Sequence, residues 1–344
     1  MRKTIYHFVV PFLFCISIMH AQTNIDTSSF NAVFNQLNLK PNTLVVIGEA
    51  HTIRGTHNTE LLIIKHLMEK GYKTLFIEGG EAEATLINLY LKTGDTTVLK
   101  YTRAREPTGE QMKFMKGLYK LKEKHPALFI KGFDFEHPAP LQYLFSNWFD
   151  TTKIKEPMIR EQVKLLQSIK GDISYWNDKQ MKRVKTILDS VANSLLTSEP
   201  YYKTILGENY INFKNIILNP VSANFNTRDK NMKKVALHYE KETGLDNCIF
   251  IAGSHHVIYW RWEFIPLLSK ELPQKYDLTV IPFIYKHCRF YAKEKTYTYR
   301  KKFLKHLSSR YTDETVVRFS KVDKRMTPIT RKNTTTVITE VYNQ

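Results

Sequence analysis

The sequence predicts an α/β fold, a mostly parallel central sheet flanked by helices and carrying a large helical insertion. Two observations predict it. Short apolar runs rich in β-branched residues alternate with segments of helical period, and residues 138–244 hold helical patterns without a comparable run. Parallel sheets covered on both faces are built from such near-continuous apolar strands. A chain of 344 residues with 42% hydrophobic content can bury a sizeable core.

The elements follow in order. Residues 1–21 carry Arg2 and Lys3, an apolar run from Phe8 to Met19, and small Ala21 before polar Gln22. This is the layout of a secretory signal, with cleavage expected after Ala21. The run is shorter than the roughly 20 residues that span a bilayer, so a periplasmic or secreted chain is expected rather than an anchored one.

LVVIGEAH (44–51) reads as the first strand, and THNTELLIIKHLMEKG (56–71) as a helix, with Leu61, Ile64 and Met68 at helical spacing and a stop at Gly71. KTLFIEGG (73–80) is a second strand, so the pair is joined by a crossover and runs parallel. ALFIKGFDFEH (127–137), NCIFIAGSHHV (247–257) and YDLTVIPFIY (276–285) complete five strands. Pro282 cannot donate to a ladder, which suggests an edge position or a bulge for the last of them.

Helical patterns such as MIREQVKLLQSIK (158–170) and QMKRVKTILDSVANSLL (180–196) fill an insertion over about 138–225, followed by a return helix from Arg228 to Glu242. The expected organisation is a leader at 1–21, a single α/β domain at 22–310 and a polar, Thr-rich, weakly β-like tail at 311–344.

Charge and cysteine content narrow the classes. The net charge of +18 is densest from Lys286 to Arg310, but no nucleic-acid motif accompanies it and the leader points away from nucleic acid. The reading is a solvated basic face with loose association to an anionic envelope surface. Loss of the leader removes Cys15 and leaves Cys248 and Cys288, neither a disulfide framework nor a metal-ligand spacing.

Ligands bind outside the carboxyl ends of strands in open α/β sheets. Read to their ends, the strands yield Glu49 and His51, then Glu78, then Asp134, Glu136 and His137, then His255 and His256. Glycine next to these groups, in GEAH, EGG, GFDFEH and GSHH, lets backbone approach a ligand closely. Glu49 and His51 lie two apart and share a face, whereas strand alternation turns one of His255 and His256 away. His57, in the first turn of the following helix, is expected at the surface or hydrogen-bonded locally. Asp229 suits the start of the return helix, but Arg228 opposes its dipole, so it either pairs with a carboxylate or an anionic substrate group or stands at the surface without a partner.

GEAH with THN, FIEGG, GFDFEH, TRDKNM and AGSHHV, in that order, resemble the erythromycin esterase-like proteins and their relatives, the haem-uptake ChaN-like and TraB/Tiki groups. The resemblance runs from about Leu44 to Val257 and implies a hydrolase-like or ligand-binding α/β domain. Glu49 and His51 match its first motif, Glu78 its second strand, and His255 or His256 its last. Only Ala50 separates Glu49 from His51, one residue fewer than in the esterases, and Gly253 stands where their late motif carries a histidine. Macrolide hydrolysis as such is not expected.

The chemistry that fits is direct water attack on an ester or amide carbonyl of a small-molecule or peptide substrate. His51 acts as base, Glu49 orients it, and Arg228 or a second histidine stabilises the oxyanion. Arg54, Asp134 and Asp229 are the expected substrate-binding residues. A metal-dependent version, implied by the Tiki-like relatives, would use Glu49, His51, Glu78 and His255 as ligands of a divalent ion. The alternative is a ChaN-like protein that holds haem or a metal without turnover.

Overall fold

The computed structural model describes residues 23–25, 30, 34–35, 39–40, 42–49, 56–105, 109–171, 178–221, 225–258, 264–286, 288–289, 296–297, 315–322 and 334–342. The leader, His51, Arg54 and most of the basic segment 286–310 lie outside these residues. No helix among the described residues is long and apolar enough to cross a membrane.

Five parallel strands form the centre: β2 (Thr43–Glu49), β3 (Thr74–Ile77), β4 (Phe129–Gly132), β5 (Cys248–Gly253) and β6 (Asp277–Lys286). Their spatial order is β6-β2-β5-β3-β4, so β5 enters late in the chain and separates the first two. Beyond β6 lie β10 (Thr334–Tyr342), β9 (Thr315–Val322) and the short β1 (Thr23–Ile25), with β10 and β9 antiparallel. β7 (Cys288–Arg289) and β8 (Thr296–Tyr297) make a separate pair.

This arrangement corrects two expectations. The segment read as a tail supplies β9 and β10 to the sheet, and β6 is consequently internal rather than an edge. Pro282 pairs in register with Gly48 on one side. On the other, the ladder to β10 lapses at Ile281 and Pro282 between the Val280 and Phe283 pairings. A residue without an N–H is accommodated by that gap.

Alternation along the strands divides the core. Val45 and Ile47 join Leu75, Ile249 and Ile251 beneath α1 (Thr56–Glu69), α2 (Glu81–Thr93) and α3 (Glu110–Lys124). Leu44, Val46, Phe76 and Phe250 face the opposite way, against α9 (Phe225–Thr243), α10 (Ser254–Ile258) and α11 (Phe264–Glu271). Every residue of β2 is buried, as a strand covered on both faces requires.

The helices between β4 and α9 are α4 (Pro138–Trp148), α5 (Pro157–Gln167), α6 (Asp178–Thr197), α7 (Glu199–Leu206) and α8 (Tyr210–Ile217). They share a third core with Ala82 and Leu86 of α2, built on Phe145, Val163, Val191, Tyr202 and Phe213. Burying such side chains stabilises by about 1.5–3 kcal/mol each, which is how this helical cap is fastened to the sheet's ligand-binding end.

Candidate functional site

The carboxyl ends of β2, β5, β3 and β4 lie level. Glu49 pairs with Gly253, and Ile77 with both Ile251 and Gly132. Parity along the chain then assigns the groups beyond them. Glu49 shares the parity of Val45 and Ile47 and lies on the α1–α3 side; Glu78, one residue past the end of β3, shares that of Phe76 and meets α9 and α10.

Arg228 of α9 is the centre of the second group. Its Nε donates to Asp134 Oδ1 at 2.9 Å, and one terminal nitrogen donates to Glu78 Oε1 at 2.7 Å and to Asp134 Oδ2. Its guanidinium carbon lies 5.2 Å from the Phe135 ring centre. Arg228, Glu78 and Asp134 are all buried. Burial works against the arginine's charge, but Asp134 and Glu78 outweigh it and hold its pKa above the ordinary value.

His256 completes this group. Its Nδ1 lies 2.7 Å from Asp229 Oδ1, and its Nε2 lies 3.3 Å from Glu78 Oε1 and 3.2 Å from an Arg228 nitrogen. Burial pulls the imidazole down; the charge of Glu78 and hydrogen bonds to Asp229 and Glu78 prevail and push it up to about 10. At neutral pH both ring nitrogens are donors, one to each carboxylate, and the Arg228 contact is one between two cations. Asp229 Oδ1 also accepts the Phe264 N–H at 2.8 Å, which fixes α11 against the imidazole.

The first group surrounds a cavity of about 60 Å³, room for about two waters at their share of liquid volume. Glu49, Glu60, Glu78 and Glu83 line it together with His57, Arg103 and apolar side chains that include Phe114 and Ile251. His57 Nδ1 lies 2.8 Å from Glu60 Oε2, and Arg103 Nε lies 3.1 Å from Glu83 Oε2. Glu78 belongs to both groups and joins the cation pair to the cavity.

His137 stands between them. It is buried, packs at 4.8 Å on Phe135, and its Nδ1 has no hydrogen-bond partner. Burial pushes its pKa down, with Glu83 and Asp134 opposing and Arg103 and Arg228 assisting, so it is neutral at pH 7.

Glycine makes this compactness possible at two positions. A Cβ on Gly80 would stand 2.4 Å from Glu136 Oε2, and one on Gly132 would stand 2.3 Å from the Gly80 backbone. Glu136 itself caps α2: Oε1 accepts the Glu81 N–H at 2.8 Å and Oε2 the Ala82 N–H at 3.1 Å, while Asn219 donates to Oε1 at 2.8 Å.

Several expectations change. His255 and His256 lie on α10, which starts at Ser254, so helical rotation and not strand alternation separates them; His255 is exposed and His256 faces the carboxylates. His57 is buried at the cavity and not at the surface, and it is hydrogen-bonded within its own helix turn, to Glu60, as the other expectation had it. Asp134 spends both oxygens on Arg228 and is not open to a substrate, while one oxygen of Asp229 orients His256.

Of the expected metal set, His51 lies outside the described residues, and the described members are turned to other partners. Glu78 gives one oxygen to Arg228 and the other to the Gly253 N–H, His255 points outward, and the Arg228 charge stands beside the would-be ligands. Among the described residues no group of three or more such ligands is placed to hold an ion. Sequence reasoning missed Arg103, Glu83 and Glu60. The only signal for them was the spacing of His57 and Glu60, three apart on one helix face.

No family model matches the chain, and no curated protein does. Solved structures match it in fold. A Bacillus cereus protein aligns at a TM-score of 0.57 and 14% identity, covering 88% of this chain and 89% of that one. Erythromycin esterase EreC, a mutant in its open conformation, aligns at 0.53 and 15%, over 74% and 73% of the two chains. A succinoglycan biosynthesis protein aligns at 0.50 and 14%, over 71% and 67%. The haem-binding ChaN of Campylobacter jejuni aligns at 0.32, and no reading of the site rests on that likeness. What these proteins share with the chain is the fold.

Proposed function

With the erythromycin esterase-like fold as the premise, we propose that the protein is a hydrolase that adds water directly to an ester or amide carbonyl at the carboxyl edge of its sheet. One observation carries this reading: Arg228 and His256 are held as cations by buried carboxylates where the strands end. Negative charge that develops on a carbonyl oxygen is stabilised most by donors already fixed in place.

Water's oxygen bonds to the carbonyl carbon and its proton passes to a neutral imidazole. His256 is already protonated and cannot accept it. His51 is the base read from the sequence, and His137, beside Asp134 and Arg228, is a described histidine that burial keeps neutral. When the tetrahedral intermediate collapses, the C–O or C–N bond breaks and the leaving group takes the proton that the base gained from water. The base is then neutral again, and His256 stays protonated between Asp229 and Glu78 throughout.

Export belongs to the same proposal, with processing near Ala21 and a periplasmic or secreted mature chain. The test is a panel of esters and amides, assayed with chelator and with divalent metals. Turnover that survives chelation supports the proposal. Turnover lost to chelator and restored by metal replaces it with metal-assisted hydrolysis. A Soret band on adding haemin, with no turnover, replaces it with the binding alternative. Of His51→Ala and His137→Ala, the variant that loses about 10²- to 10⁴-fold identifies the base; retention of activity by both contradicts imidazole-assisted attack.

A further inference from the structure

A larger cavity than the one at the strand ends lies in the helical cap. It measures about 270 Å³ and is lined by Ile169, Lys170, Lys179, Arg183, Val184 and Ile187 together with Gln180, close to the lower bound of about 300 Å³ for small-ligand sites. Its floor is apolar: Ile169, Val184 and Ile187 are buried members of the cap's own core. Its rim is cationic, because Lys170, Lys179 and Arg183 are exposed around that floor.

Among the described side chains, no carboxylate pairs with the rim: Glu161 pairs with Lys164 at 2.7 Å and Asp189 with Lys185. None of the three rim cations has an ion-pair partner among the described residues. Three like charges over an apolar pocket repel one another, and a single bound anion relieves all three. The framework is built to hold the opening: Gln180 donates to the Lys170 carbonyl at 3.1 Å, tying the end of α5 to α6. A Cβ on Gly171 would stand 3.0 Å from Pro138 Cβ, so this joint abuts the residue that follows His137.

We propose that this cavity binds an amphiphilic monoanion, a carboxylate carried on an apolar chain, with the chain on the Ile169, Val184 and Ile187 floor and the carboxylate among Lys170, Lys179 and Arg183. A headgroup alone would leave the floor wet, and a neutral chain would leave the rim unneutralised. The site needs both parts.

Calorimetric titration of the full chain with decanoate tests it, with decanol, inorganic phosphate and phosphatidylglycerol vesicles as comparison probes. Saturable one-to-one binding of decanoate is expected, at least about tenfold tighter than decanol or phosphate, as charge-assisted bonds imply. The Lys179→Ala, Arg183→Ala double variant should weaken it by at least about tenfold. Lys116→Ala with Lys120→Ala, the same charge change on exposed positions of α3, should leave it unaltered. Equal loss in the two double variants reduces the effect to net charge and overturns the site. So does decanol binding as tightly as decanoate. Binding to vesicles without binding to free decanoate overturns it in favour of a lipid surface. None of these readouts requires turnover, so the inference stands or falls apart from the hydrolytic reading.

Discussion

Two buried ionic clusters sit at the same end of the sheet and do opposite things with charge. Around Arg228, burial is overcome by facing opposite charges, and His256 is pushed up to about 10 as a retained cation. Around Glu136, burial prevails over three N–H donors and pushes the carboxyl up to about 8, toward its neutral form. The first cluster reaches the cavity through Glu78. The second ends on the N-terminus of α2 and on Asn219, which with Glu81 lines a separate cavity of about 210 Å³. Ionisable groups at strand ends, even beside a cavity, are therefore not a site by themselves; charge maintained against burial is the stronger mark.

The comparison can be broken first at Arg228. Arg228→Met leaves Asp134 and Glu78 buried without their cation, and denaturant unfolding should show a loss of about 3–5 kcal/mol together with the loss of hydrolysis. Glu136→Ala leaves the Glu81 and Ala82 N–H groups and Asn219 without their acceptor. It should cost about 1–3 kcal/mol per stranded donor, with turnover per folded molecule unchanged. Hydrolysis abolished in a folded Glu136→Ala protein would erase the distinction between the clusters.

The comparison is sharpened further by the pH dependence of stability. Both folded pKa values lie above the unfolded ones, so each group's contribution is complete below its unfolded value and lost as pH rises through its folded value. For Glu136 the window runs from 4.5 to about 8, and for His256 from 6.5 to about 10. Unfolding measured across pH should fall through both windows. Glu136→Gln should flatten the first and His256→Asn the second. His137, shifted down, acts in the other direction and costs stability as pH falls below 6.5.

Much of the frame is legible in sequence because β2 to β6 are short apolar runs whose alternation needs no distant information. The demand of Arg228 for a carboxylate was legible too, since a basic residue in a first helical turn opposes the dipole. The choice of His256 over His255 was not, because the period changes from 2 to 3.6 at Ser254, immediately after β5, and SHH carries no sign of the change. The weak β character of the tail was legible, but its place in the sheet was not, because the Thr-rich β10 is positioned by pairing with β6. Arg103 and Glu83 lie 20 residues apart, with no spacing rule to join them.

The central claim is that the Arg228–His256 pair is catalytic and the Glu136 cluster structural. Its most direct test is the kcat of His256→Asn on the first ester or amide turned over in the panel, measured beside its thermal stability. A fall of about 10²-fold or more with the folded state preserved is the predicted result. Turnover equal to that of the unaltered protein would contradict the account.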